Sequence, residues 1–330
     1  MGQEFGFGFT DPLIAEVGGI KQNKLHFDVE AILKAYEKIK PLTRRLGVEP
    51  PTPRLAGFCY PHIASLGAEI VFAEDAEPKP FPMIKRPEEI DALTEPEDYL
   101  AAPLIQERLK ICAQIKRRCP ESPNFIGHPL EGPITTAVLL MGSDFLTLPY
   151  DDPKRAHKFL EFCTKSALNY ARTISEYFNQ PLQSNGFPDD FGGMFPPKIF
   201  EEFVVTYWEE IFQGLKASER SLHSELLRVE HLPFLKELNI QYFDPSADQY
   251  LTPEILHKAC PCKFKTLILS WQIYNLSAEE LEAMYKKIVS FKPYAISFSM
   301  DRLEDEPKIK HFLEVARRMK RGKWNGMRNR

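Results

Sequence analysis

Apolar residues recur along this chain with two spacings, and the two spacings alternate in order. A spacing of three and four residues predicts helices over residues 28–47, 102–118, 135–141, 154–178, 197–215, 233–238, 253–259, 277–289 and 305–320. Shorter runs between them predict strands over residues 54–62, 68–72, 123–128, 182–190, 220–224, 239–244, 264–271 and 294–299. We interpret residues 1–26, which are rich in glycine and phenylalanine, as an irregular arm.

The order of strands and helices predicts the architecture. Strands that alternate with helices lie parallel in one sheet, because each helix returns the chain to the same end of the sheet. About eight such units favour a closed barrel over an open sheet, and the sequence has no G-x-G-x-x-G or G-K-[ST] motif. We therefore predict an α/β protein in which residues 1–330 form a single (β/α)8 TIM barrel domain.

Composition narrows the classes of function. The net charge of −4 does not favour binding to nucleic acid or to an anionic membrane. No apolar run reaches the roughly 18 residues that cross a bilayer, and the N-terminal residues lack the charged and apolar regions of a signal peptide. Six cysteines in a chain of 330 residues do not indicate a disulfide framework. We expect a cytoplasmic enzyme with reduced thiols.

Candidate chemistry centres on residues 219–225, where a short alternating strand ends in His223 and Glu225. Residues two apart in a strand point to the same side, so this pair can converge on one ion or one proton. An isolated pair of this kind is more often a surface pair, but other predicted strands also end in polar residues. These residues are Tyr60, His62, His128, Glu131, Asp189, Asp190, Asp244, Trp271, Gln272, Ser297 and Ser299.

The C-terminal ends of barrel strands share one rim, and barrel enzymes have their active sites there. We select as candidate catalytic residues His128, Asp189, Asp190, His223 and Glu225. The candidate substrate-binding residues are Tyr60, His62 and Trp271. Cys260-Pro261-Cys262 precedes its strand and belongs to the opposite rim, so we interpret this motif as structural.

Two motifs carry a family resemblance. Gly132-Pro133-Ile134-Thr135-Thr136-Ala137, then Gly142 and Tyr150-Asp151-Asp152-Pro153, resemble a G-P-x-T-x-A … G … D-P-E segment. Asp189-Asp190-Phe191-Gly192-Gly193, then Pro197 and Phe200-Glu201-Glu202-Phe203, resemble a D-D … S-P-x-x-F-x-x-F segment. With these motifs the chain resembles the uroporphyrinogen decarboxylase-like superfamily of barrels over nearly its whole length.

The resemblance implies one of two activities. Decarboxylases of this superfamily carry an arginine-rich N-terminal motif, R-Q-A-G-R, and this chain has glycine and phenylalanine there instead. The other branch, the corrinoid-dependent methyltransferases, holds zinc with an H-x-C motif and a later cysteine. His223 falls on that histidine, Glu225 stands in place of the first cysteine, and Ser297 or Ser299 stands in place of the later one.

The resemblance thus implies an O-demethylase type of methyltransferase. We expect a methyl ether to donate its methyl group to the cobalt of a separate corrinoid protein. Zinc held by His223, Glu225 and Asp244 would polarise the ether oxygen, since nitrogen and oxygen ligands leave a harder ion than thiolates do. His128, Asp189 or Asp190 would donate the proton.

Two other functions stay open at this point. One is decarboxylation of another carboxylated substrate at a metal-free site around Asp189 and Asp190. The second is a non-catalytic barrel that only docks partners. The sequence leaves open the identity of the methyl donor and the oligomeric state, a homodimer being one arrangement.

Overall fold

In this computed structural model the protein is described over residues 4–128, 130–182 and 184–327, with side chains as far as residue 320. Its strands are β1 (Glu4–Phe9), β2 (Ile70–Val71), β3 (Lys79–Pro80), β4 (Gly186–Pro188), β5 (Arg220–His223), β6 (Ile240–Asp244), β7 (Lys263–Ile268) and β8 (Ala295–Met300). Within the described residues, six of these strands form a parallel sheet in the order β1-β8-β7-β6-β5-β4. β2 and β3 form a separate antiparallel hairpin.

All nine predicted helical segments are helical, and the described residues add five short α-helices outside them. They are α1 (Asp11–Gly18), α2 (Lys24–Phe27), α3 (Val29–Leu46), α4 (Pro61–Ser65), α5 (Pro103–Arg118), α6 (Pro133–Met141), α7 (Leu148–Asp151), α8 (Pro153–Tyr177), α9 (Pro197–Phe200), α10 (Thr206–Leu215), α11 (Leu232–Glu237), α12 (Pro253–Ala259), α13 (Ser270–Asn275), α14 (Ala278–Ser290) and α15 (Glu306–Met327). A π-helical turn over Glu201–Val205 joins α9 to α10. No helix in the described part of the chain is both long and apolar enough to span a bilayer.

The prediction of an irregular N-terminal arm is wrong. Residues Glu4–Phe9 form β1, which pairs in parallel with β8 along its whole length. The sequence alternates phenylalanine with Gly6 and Gly8, and a Cβ at Gly6 would lie 3.1 Å from the Ser297 hydroxyl oxygen. Glycine therefore keeps the interior of the barrel open beside β8.

Three predicted strands are also wrong. Residues 68–72 contribute only β2, which belongs to the hairpin outside the main sheet. Residues 54–62 and 123–128 form no regular strand; the first continues into α4. Two irregular segments, 54–59 and 124–128, nevertheless complete the barrel between β1 and β4. The His128 amide donates to the Gly57 carbonyl (3.3 Å), and the Gly132 amide donates to the Pro188 carbonyl of β4 (2.6 Å).

Arg108 of α5 holds the two irregular segments together. Its side chain is completely buried. The guanidinium donates from Nε to the Ile126 carbonyl (2.5 Å) and from NH2 to the Ala56 carbonyl (2.6 Å), and its NH1 lies 3.1 Å from His26 Nδ1. One side chain thus supplies donors to carbonyls that have no ladder of strand hydrogen bonds.

The strand side chains divide into an outer apolar set and an inner polar set. In β8, Ile296, Phe298 and Met300 are buried, and Phe298 packs on Phe312 of α15 with ring centres 4.6 Å apart. Ser297 and Ser299 alternate with them and are half-buried. This alternation places the core between sheet and helices and leaves polar groups inside. The chain is an α/β protein with the TIM barrel fold, as predicted.

Candidate active site

The C-terminal ends of the barrel strands form a rim that we call the mouth. Three consecutive strands bring titratable groups together there. Asp190 follows β4, His223 ends β5 and Asp244 ends β6. His223 Nε2 lies 3.3 Å from Asp190 Oδ1, and His223 Nδ1 lies 3.6 Å from Asp244 Oδ2. Lys265 of β7 donates from Nζ to Asp244 Oδ2 (2.6 Å).

We call Asp190, His223, Asp244, Lys265 and the nearby Glu131 the acid–base cluster. Burial opposes protonation of His223, but the carboxylates of Asp244 and Asp190 outweigh it and raise the pKa of the imidazole. Burial also opposes ionisation of Asp244, yet His223 and Lys265 hold the pKa of that carboxyl well below its usual range. The contact therefore favours the protonated imidazole of His223 beside the ionised carboxylate of Asp244.

Asp190 is the member of the cluster that is best placed to exchange a proton. Burial raises the pKa of Asp190, opposed by the charge of His223 and helped by that of Glu225. Its Oδ1 is buried and accepts no hydrogen bond from a residue that the structure describes. Its side chain as a whole is still 38% exposed, so a small ligand can reach the carboxyl group.

Asp189, its neighbour, has a different position. It is completely buried, and its carboxylate accepts from the Thr135 amide (2.6 Å), the Ile134 amide (3.2 Å) and Trp208 Nε1 (2.7 Å). Burial raises its pKa to about 6, opposed by these donors. A Cβ at Gly132 would lie 2.4 Å from Asp189 Cβ, so only glycine allows this approach to the start of α6. The geometry favours a structural role for Asp189.

Glu131 and Tyr60 extend the cluster toward the irregular segments. Burial raises the pKa of Glu131 to about 8, helped by the negative charges of Asp190 and Asp189. Burial and these charges therefore favour the protonated, neutral form of Glu131. Tyr60 has a left-handed backbone (φ 49°), a strained conformation for a non-glycine residue. Burial raises its pKa to about 12, helped by the charge of Glu131, so the phenol is a hydrogen-bond donor.

The other predicted site residues are scattered. His62 is only 2% exposed and contacts Ser166 Oγ (3.1 Å), and burial lowers its pKa to about 3. The prediction that His62 binds substrate therefore has no support in this geometry, because its ring lies in the core. His128 is at the rim, and its ring packs against Phe58 and Phe125.

Trp271 and Glu225 lie on connections at the mouth. Trp271 is 56% exposed in the first turn of α13, which follows β7. Glu225 lies two residues beyond His223 and is half-buried. It is close enough for its charge to raise the pKa of both Asp190 and His223. Both residues lie at the end of the barrel where the sequence placed them.

The predicted zinc ligands do not fit a zinc ion in this arrangement. Among the described residues, no group of three or more histidine, cysteine, aspartate or glutamate side chains has the geometry of a metal site. Asp244 accepts from Lys265 at Oδ2 and from the Ser246 amide at Oδ1 (3.0 Å), so a lysine ammonium already neutralises the carboxylate. We derive no chemical step through a metal.

Sequence reasoning missed the role of Lys265 and gave too little weight to Glu131. Lys265 lies in an apolar strand, between Phe264 and Thr266, which point outward and are buried. A lysine at an inward position of a barrel strand is the signal that could have identified it, because an unpaired charge there would be unstable. Glu131 stood among the polar strand ends, but its protonation depends on burial that the sequence does not reveal.

The mouth also carries exposed apolar side chains. Among the residues with described side chains, ten large hydrophobic residues are exposed. Nine of them lie on or beside segments that connect a barrel strand or irregular segment to its outer helix: Phe58, Val71, Phe81, Met83, Tyr150, Met194, Val229, Tyr250 and Trp271. Exposed apolar residues gathered on one side of a protein are typical of sites of macromolecular contact.

Comparison with known proteins gives two findings. The family model of uroporphyrinogen decarboxylase (URO-D) matches residues 60–255. Among solved structures, a methyltransferase from Methanosarcina mazei is similar over 96% of this chain and 94% of its own, with a TM-score of 0.69 and 13% sequence identity. At that identity the similarity demonstrates a shared fold. No curated protein has a significantly similar sequence.

Proposed function

We propose, given that this chain belongs to the uroporphyrinogen decarboxylase family, that it is a methyltransferase. The methyl group passes from a small neutral donor, in first place a methyl ether, to the cobalt of a separate corrinoid protein at the mouth. The observation that carries the proposal is the acid–base cluster, which offers proton donors and whose histidine and lysine are both paired with Asp244. The shared fold with a methyltransferase is consistent with it.

The cluster supplies what cleavage of an ether needs from the protein. An alkoxide or phenoxide is a poor leaving group, and a proton delivered to the departing oxygen lowers the barrier. The corrinoid of the partner supplies the nucleophile that accepts the methyl group. The carbon–oxygen bond breaks with its electron pair on oxygen, and oxygen takes a proton from Glu131 or Asp190. Protonated His223 and the phenol of Tyr60 then stabilise the anionic carboxylate left behind.

The charges of the cluster disfavour a substrate with many carboxylates. Lys265 is the lysine of the cluster, and Asp244 already neutralises it. Arg54, on the irregular segment 54–59, lies 3.8 Å from Asp11, and Arg228, on the connection after β5, packs on the ring of Tyr250 (4.4 Å). A tetrapyrrole with several carboxylates requires unpaired cations for its recognition. The family match alone favours decarboxylation as the second candidate function, with Glu131 donating a proton to the carbanion.

The exposed apolar residues of the mouth support a macromolecular acceptor. Trp271, on the connection after β7, and Val229 and Tyr250, on the connections after β5 and β6, are among the exposed apolar residues that a docked protein could cover. A protein that carries the corrinoid would bury them on docking. The corrinoid would then reach the half-exposed Asp190 and His223 from the solvent side.

One assay separates the candidate functions. The purified chain is incubated with free cob(I)alamin and a panel of aryl methyl ethers, alkyl methyl ethers and methylamines, and methylcobalamin is followed by absorbance. In parallel, carbon dioxide release from uroporphyrinogen is measured. We expect methylcobalamin to form from at least one ether. We expect the same rate of formation when a metal chelator is present. Carbon dioxide release without methylcobalamin would establish decarboxylation. If neither product forms, the result would favour a non-catalytic docking barrel.

Glu131 gives the protein a predictable dependence on pH. Its folded-state pKa of about 8 lies above the ordinary value of 4.5, so the folded state binds a proton that the unfolded state releases. The stabilisation that this bound proton gives the folded state is present below pH 4.5 and is lost as pH rises through 8. Relative to Glu131→Gln, we expect the unfolding free energy to fall by up to about 1.4 kcal/mol per pH unit in between.

Urea unfolding at pH 5 and pH 8 tests this prediction. The control is Glu176→Gln, which changes an exposed carboxylate at the end of α8. The wild type and the control should lose stability in parallel between the two pH values, and Glu131→Gln should lose less. Equal losses in all three proteins would mean that Glu131 is ionised in the folded state.

A further inference from the structure

A pair of cysteines lies at the end of the barrel opposite the mouth. Cys260 caps the C-terminus of α12, and Cys262 directly precedes β7. Their sulfur atoms are 3.7 Å apart, and both residues are half-buried. The proposed function does not use them, because the chemistry proposed there takes place at the C-terminal ends of the strands.

The pair opens onto a cavity of about 600 Å³. Its lining includes the ends of β6 and β7, with Tyr242 and Lys263, and also Lys292, His257 and Glu219. Two lysines and a histidine against a single glutamate give this wall a positive potential at neutral or lower pH. A small anionic compound is therefore attracted to the cysteines, and the volume is large enough to admit one.

The two sulfurs differ in their readiness to react. Contact with the Cys262 thiol, together with the Cys262 amide, lowers the pKa of Cys260 despite burial. The same contact and burial raise the pKa of Cys262 well above its usual range. Elsewhere, burial raises the pKa of Cys59 to about 11 and also raises that of Cys112 and Cys163. Thiolate character and access thus coincide at Cys260.

We infer that Cys260 and Cys262 form a redox-active dithiol that undergoes thiol–disulfide exchange with small anionic disulfides entering this cavity. The Cys260 thiolate attacks one sulfur of the disulfide, and the first small thiol leaves. Cys262 then attacks the Cys260 sulfur, loses its proton and releases the second small thiol. The two cysteines lose two electrons and two protons, and the small disulfide becomes two thiols.

The local backbone permits this closure. The sulfurs must approach by about 1.7 Å to reach the length of a disulfide bond near 2.05 Å. Cys260 has an extended backbone (φ −71°, ψ 125°), and Pro261 between the cysteines is exposed. The segment lies between α12 and β7, with Cys260 at the C-terminal cap of α12 and Cys262 just before β7.

The test is chemical and independent of methyl transfer. The reduced full-length chain is equilibrated with glutathione disulfide, free thiols are alkylated, and intact mass and peptide maps are recorded. We expect the loss of two thiols and of two hydrogen masses, with a Cys260–Cys262 bond and no lasting glutathione adduct. Cys119→Ser, which removes the half-buried single cysteine at the end of α5, should behave as the wild type does.

Two further measurements distinguish thiol–disulfide exchange from the effect of a folding defect in a variant. Cys262→Ser should accumulate a glutathione adduct on Cys260, because no second thiol resolves it. Phenylarsine oxide, which bridges neighbouring thiols, should block both cysteines of the unmodified chain at one equivalent. Six free thiols after either reagent, a bond between two chains, or equal modification of Cys119 would overturn the inference.

Discussion

Replacing Asp190 with asparagine is expected to lower the rate of methyl transfer by about 10²- to 10⁴-fold, the usual contribution of general acid–base catalysis. Asparagine has the same shape but cannot exchange a proton. The backbone contact of Asp190 stays, because its amide donates to Thr135 Oγ1 (2.9 Å) and not through the side chain. Thermal unfolding should therefore change little, and the lost rate would reflect chemistry at the carboxyl group.

A second readout separates chemistry from simple disturbance of the site. The charge of Asp190 is one of the causes that raise the pKa of His223. In Asp190→Asn the pKa of His223 should move down, and NMR titration of its imidazole protons measures the shift. The matched control is Asp144→Asn, an exposed aspartate outside the acid–base cluster. A rate within threefold of the control, or an unchanged His223 titration, would contradict the assignment.

Replacing Arg108 with methionine should have the largest effect on stability. The substitution leaves the buried Ala56 carbonyl without its donor and leaves the Ile126 carbonyl only the weak thiol donor of Cys59 (3.3 Å). Each unsatisfied buried polar group costs about 1–3 kcal/mol. The removal of a buried charge offsets part of this loss, so we expect a net destabilisation of roughly 3 kcal/mol, measured by urea unfolding at pH 7.

Arg108→Lys provides the comparison. Lysine keeps the charge but has no planar fork to reach two carbonyls at once, so this variant should also lose stability. His26 reports on the site: its pKa is lowered to about 3, by burial first and then by the charge of Arg108. A methionine variant as stable as the wild type would show that the irregular segments hold the barrel closed without the guanidinium.

Several parts of the site were predictable from residues near one another in the chain. The D-D pair and the H-x-E pair follow predicted strands, and Asp190 and His223 do lie 3.3 Å apart at the mouth. The difference between Asp189 and Asp190 was not predictable. Adjacent residues beyond a strand point in opposite directions, and only the packing of α6 and Trp208 shows which carboxylate is enclosed.

The sequence by itself determined the longer helices, the later strands and the barrel, because their apolar periodicities are local and each repeats several times. It also placed His223, Asp190 and Asp244 at one end of the barrel. Only the tertiary structure showed that Glu4–Phe9 is a barrel strand, since its alternating glycines have meaning only beside β8. The pairing of Lys265 with Asp244, the burial of His62 and the protonation of Glu131 likewise depend on neighbours far away in the chain. The charge state and the solvation of a side chain depend on the residues that the fold places around it, and the sequence pattern does not reveal those residues.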